Sequence, residues 1–104
     1  MYITMKTTIV EKNGELVVTF EGRLDTAASV QTAKDIEPLN DCSGKDIILD
    51  CTHLSYIASS GLRLFISVLK DAKVKGSKVY VKGLNNDLKS VFAMTGFINL
   101  FEFI

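Results

Sequence analysis

Ile47-Ile48-Leu49-Asp50-Cys51-Thr52-His53-Leu54-Ser55-Tyr56-Ile57-Ala58-Ser59-Ser60-Gly61-Leu62-Arg63-Leu64 opens like a buried strand and closes like a helix. The apolar run at its start has strand length, while from Leu62 onward the apolar residues take up helical spacing. A tight turn is expected between the two, carrying Ser59 and Ser60 where a helix N-cap belongs. One of these hydroxyls is expected to cap the helix and at least one to face solvent. An anion held there would meet the positive end of the helix dipole and several free backbone N–H groups. This junction is the candidate functional site.

Working outward, Leu62, Phe65, Ile66 and Leu69 fall at i, i+3, i+4 and i+7, with Arg63, Lys70 and Lys73 mainly off that stripe. Leu64 and Val68 widen the apolar surface beyond one stripe. Gly76 ends the helix, residues 77–82 alternate as a strand, and Gly83 closes it. Asn85, Asn86 or Asp87 can cap a further helix bearing Leu88, Val91, Phe92 and Thr95, with Gly96 at its C′ position. Residues 99–104 read as a last strand or extended segment packing its aromatic residues on the core.

Upstream, residues 2–10 are rich in β-branched types and alternate loosely, as a strand at a sheet edge does. Asn13-Gly14 is the strongest hairpin signal in the chain and joins this strand to Leu16-Val17-Val18-Thr19-Phe20. Gly22-Arg23-Leu24-Asp25-Thr26 leaves the second strand, and Asp25 or Thr26 can cap a helix from about residue 27 towards residue 39. Its stripe would be Ala28, Val30, Ala33, Ile36 and Leu39, with Pro38 marking a kink or the end of the regular turns. A loop of composition Asn40-Asp41-Cys42-Ser43-Gly44 follows. Lys45 to Cys51 is short and apolar in the middle, the pattern of a central strand covered on both faces.

The order is therefore β-β-α-β-α-β-α-β, which defines an α/β domain spanning residues 1–104. Its mixed sheet should have an antiparallel first hairpin, parallel later strands and three to four helices. Functional loops in such sheets gather beyond the carboxyl ends of the parallel strands, where the Ser59 junction lies.

Composition narrows the function. A chain of 104 residues has room for one core, and its 12 basic residues balance 12 acidic ones. That balance argues against nucleic acid, whose phosphate backbone calls for a basic excess. Cys42, Cys51 and the lone His53 cannot form a four-ligand zinc site, and a reduced cytoplasm suits two unpaired cysteines. No apolar run approaches the ~20 residues of a membrane span. Met1-Tyr2-Ile3-Thr4-Met5-Lys6 has neither the basic start nor the apolar middle of a secretory signal. A cytoplasmic protein without direct membrane insertion is expected.

Enzyme chemistry finds little support. No nucleophile elbow surrounds Ser59 or Ser60, and His53 reads as a loop residue rather than a triad base. Cys51 reads as a small buried apolar group at a strand end. The glycines form neither a dinucleotide fingerprint nor a P-loop, so no cofactor is expected. Lys70, Lys73, Lys75 and Lys78 read as a solvated face.

The order of elements, the Gly22-Arg23-Leu24-Asp25 strand exit and the block from Asp50 to Leu62 resemble the STAS domain over essentially the full chain. More narrowly they resemble the bacterial anti-sigma-factor antagonists within that family. The resemblance implies that Ser59 is phosphorylated, with Ser60 the lesser candidate, by an anti-sigma factor that is a serine kinase. It implies a serine phosphatase as a further partner and places Asp25 near the same surface. Asp25, Thr26, Ala58, Ser59, Ser60, Gly61, Leu62 and Arg63 would then form the partner-binding surface. Ala58 departs from the pattern, standing where many members carry aspartate or asparagine. The alternative within the family is a constitutive adaptor, as in lipid-transport ABC complexes or signalling scaffolds.

Overall fold

The computed structural model describes residues 5–41 and 44–104; Cys42 and the start of the expected first strand lie outside them. Strand β1 (Met5–Lys12) turns through Asn13 and Gly14 into β2 (Glu15–Leu24). Both turn residues have positive φ, 54° and 77°, as a two-residue type I′ hairpin requires. Helix α1 (Thr26–Asp35) follows, then a 3₁₀ turn (Glu37–Asp41) that accommodates Pro38. Strand β3 (Ile47–Ile57), helix α2 (Ser59–Val74), strand β4 (Val79–Lys82) and helix α3 (Asn86–Met94) complete the alternation. A 3₁₀ turn (Phe97–Asn99) leads to β5 (Glu102–Phe103), which is shorter than the six-residue segment suggested.

The five strands lie in sequence order, β1-β2-β3-β4-β5. The first pair is antiparallel and the rest are parallel, as expected. Along the register, Ile9, Val18, Leu49 and Val81 share one row and Val17, Ile48 and Tyr80 the next. Val18, Leu49 and Val81 are fully buried, whereas Val17, Ile48 and Tyr80 are only half-buried. The core therefore lies on one face of the sheet, and β3 is covered on one side rather than both. A sheet wound in sequence order by crossovers of one hand puts its helices on the same face.

On that face, Phe65 of α2 stands between Phe20, with ring centroids 5.1 Å apart, and Phe92 of α3 at 6.2 Å. Leu62, Val68, Leu69 and Ala72 bury the rest of the α2 stripe, while Leu64 and Ile66 pack at its margin. In α1 the expected stripe is rotated. Val30 is 66% exposed, and Ser29 and Thr32 face inward with Ile36 and Leu39. The inward hydroxyl of Ser29 donates to the Thr26 carbonyl at 2.7 Å, so a small polar side chain serves where Val30 was expected.

The largest departure is the length of β3. The apolar pattern ends the strand at Cys51, whereas it continues to Ile57 and gives way to α2 at Ala58. Its pairing with β2 carries two register shifts, between Thr19 and Glu21 and between Gly22 and Arg23. Bulges of this kind let Cys51, Leu54 and Ile57 turn inward at every third residue. His53 is consequently an exposed strand residue, and Cys51 lies within the strand rather than at its end.

Candidate functional site

Because β2, β3 and β4 run parallel, their carboxyl ends share one edge, and each hands over to a helix there. Leu24 pairs with Ile57 at that edge, and the Ala58 N–H donates to the Leu24 carbonyl at 2.8 Å. This bond sets the starts of α1 and α2 side by side, which places Asp25 and Thr26 beside Ala58, Ser59 and Ser60.

Asp25 is the N-cap of α1: its Oδ1 accepts from the Ala28 N–H at 2.8 Å. Thr26 is the first helical residue and is exposed. Asn85 caps α3 in the same way, accepting from the Leu88 N–H at 2.8 Å. At α2, the cap position falls on Ala58, whose backbone is extended (φ −86°, ψ 168°) and whose side chain can accept nothing. Neither serine is the cap, contrary to expectation, because both already have helical backbone and the cap must precede the helix. Ser59 is exposed, as the pattern suggested for one of the two. Ser60 is half-buried, and its Oγ has no hydrogen-bond partner among the described residues. Arg63 is exposed one turn further on, while Gly61 and Leu62 are buried in the packing beneath.

Gly61 explains how α2 comes so close to the sheet. A Cβ at this position would lie 2.7 Å from Leu24 Cγ and 2.9 Å from Ile57 Cγ1, inside van der Waals contact. Gly61 and Leu62 thus lie beneath the exposed residues of the site.

Other reactive side chains do not converge here. Burial, helped by the charge of Asp50, pushes the Cys51 thiol well above its ordinary pKa, so it stays protonated at neutral pH. Burial also works to raise the Asp50 carboxyl. The Thr52 hydroxyl at 2.6 Å and amide at 3.0 Å, with the charges of Lys82 and His53, outweigh it and leave Asp50 below its ordinary value. No hydrogen bond ties His53 to Ser59 or Ser60 among the described residues, nor do three or more His, Cys, Asp or Glu side chains cluster there as metal ligands. No described helix is long and apolar enough to cross a membrane.

One neighbour escaped the sequence reading. Arg23 and Tyr56 pair across β2 and β3, and the guanidinium carbon sits 4.4 Å from the centre of the Tyr56 ring. Only the register of two distant strands brings them together, so no local pattern announces the pair.

The STAS domain family profile matches residues 6–104, and the chain belongs to that family. An anti-sigma-B factor antagonist of Staphylococcus aureus is 27% identical over 100 residues, covering 96% of this chain and 91% of the relative. The fold matches an anti-sigma factor antagonist from Mycobacterium paratuberculosis with a TM-score of 0.79 at 19% identity, over 95% of this chain and 84% of the other. It also matches the Bacillus cell fate determinant SpoIIAA in its phosphorylated form, with a TM-score of 0.72 at 18% identity over 95% and 91% of the two chains.

Proposed function

We propose that the chain is a cytoplasmic anti-sigma-factor antagonist that acts by partner switching through Ser59. The observation that carries this reading is the exposed Ser59 hydroxyl on the first residue of α2, beside Asp25 at the carboxyl edge of the sheet. Unmodified, the surface of Asp25, Thr26, Ala58, Ser59, Ser60 and Arg63 docks on an anti-sigma factor and displaces the sigma factor it holds. The anti-sigma factor is a serine kinase, which transfers the γ-phosphoryl group of ATP to Ser59 Oγ. A serine phosphatase resets the switch by hydrolysis. The chain itself needs neither cofactor nor catalytic group in this scheme.

Phosphate adds about −1.5 to −2 charges at neutral pH. Within the chain the anion is favoured by the α2 dipole and by backbone N–H groups that Ala58 leaves uncapped. At a desolvated contact the same charge weakens binding by roughly 2–5 kcal/mol, which is about 30-fold or more. Ser59→Ala is expected to keep its affinity for the anti-sigma factor and Ser59→Glu to lose it, as read by titration calorimetry. Incubation with that kinase and ATP, then mass spectrometry, should place phosphate on Ser59. Phosphate elsewhere, or none, would overturn the switch.

Ala58 favours a second reading, a constitutive adaptor, because no carboxylate precedes the serine to engage a kinase. Co-purification with a permease and ATPase pair, and with no sigma regulator, would decide for it.

A further inference from the structure

The Arg23 guanidinium is charged and exposed, yet no acidic partner for it is found among the described residues. It lies over the Tyr56 ring at 4.4 Å, and among the described residues the ion pair found is Lys45 with Glu11 instead. Tyr56 is 41% exposed beneath it. Leu24 and Ile57, the next residues along each strand, are buried in the core. Arg23 and Tyr56 therefore point to the sheet face away from the helices, at the same edge where Asp25 and Ser59 start α1 and α2. An aromatic shelf under the guanidinium restrains the arginine fork, whose residue is exposed to solvent. That is the arrangement suited to a carboxylate, which a guanidinium grips through two parallel hydrogen bonds. Restraint before binding also lowers the entropy lost when the contact forms.

We propose that Arg23 and Tyr56 form a second anchor of the docking surface and that Arg23 receives an aspartate or glutamate of the anti-sigma factor. This rests on the docking function proposed above and adds to it the chemistry of the partner. The partner then wraps over the edge of the sheet, meeting Ser59 on the helix side and Arg23 on the other. Arginine and tyrosine are the residue types that dominate interface energetics when they sit at a desolvated contact. A cation–π pair this exposed does little for stability, so a loss of binding on substitution is separable from a loss of fold.

Calorimetric titration of the purified anti-sigma factor with the full chain and its variants tests the assignment, with thermal unfolding of each variant as the control for folding. Arg23→Glu is expected to weaken binding about 30-fold or more and Arg23→Lys to weaken it less, because lysine carries the charge without the fork. Tyr56→Leu should also weaken binding, and its effect should largely vanish in the Arg23→Ala background. Native affinity should fall with added salt more steeply than that of Arg23→Ala. If Arg23→Glu binds within about twofold of native while Ser59→Glu still loses affinity, the arginine assignment is wrong and the switch stands. If neither substitution changes binding, or the native chain does not bind, the docking function falls and this anchor with it.

Discussion

Helices α1 and α2 begin next to each other with nearly the same backbone and opposite chemistry. The cap residues Asp25 and Ala58 have φ of −84° and −86°, both with extended ψ. One carries a carboxylate bonded to the first turn, and the other carries a methyl group. The helix with the weaker start is nevertheless the longer, 16 residues against 10, so packing rather than capping holds it. Where packing suffices, a helix can leave its N-terminal N–H groups uncapped, and α2 does so beside its exposed serine.

The contrast can be broken at several points. Gly61→Ala attacks the packing of α2: its methyl would enter the space of Leu24 and Ile57, at 2.7 and 2.9 Å. A loss of about 2–3 kcal/mol is expected from overpacking, read from the urea midpoint. An unchanged midpoint would mean that α2 is not held by close approach. Smaller effects should come from the caps. Asp25→Ala should cost about 1 kcal/mol and Ala58→Asp should add a similar amount, since a side-chain acceptor is lost in one and gained in the other. Destabilisation by Ala58→Asp would show that α2 cannot use a cap.

The smallest effect concerns a carboxylate held by a strand instead of a helix start. Asp50 lies below its ordinary value of 3.8 in the folded chain, so its contribution to stability is full above that value. It is lost as pH falls through the lower folded value. Asp50→Asn should therefore flatten the acid side of the stability profile and leave its dependence near neutrality unchanged. An acid slope identical to that of the native chain would remove Asp50 from the account.

Much of the fold was legible where local chemistry decides it. Asn13-Gly14, the Asn85 cap and the positive φ of Gly96 follow from the conformations those residues tolerate. The resemblance at residues 50–62 led to the right family. What stayed hidden depends on pairing between distant segments. The inward positions of Cys51, Leu54 and Ile57 fit neither strand nor helix period, because bulges against β2 create their spacing. The apolar run at Ile47–Leu49 resembles a strand buried on both sides, although Ile48 faces the open side of the sheet. Ser59 and Ser60 were read as caps from residue type, whereas the cap falls wherever the extended backbone gives way to helix, here Ala58.

The strand order has a further consequence, for synthesis. Each described strand after the first pairs with the one made just before it, so its partner has already emerged when it does. The sheet can lengthen by one strand at a time behind the ribosome. Its last addition is β5, whose Phe103 settles against Phe92 with ring centroids 6.0 Å apart.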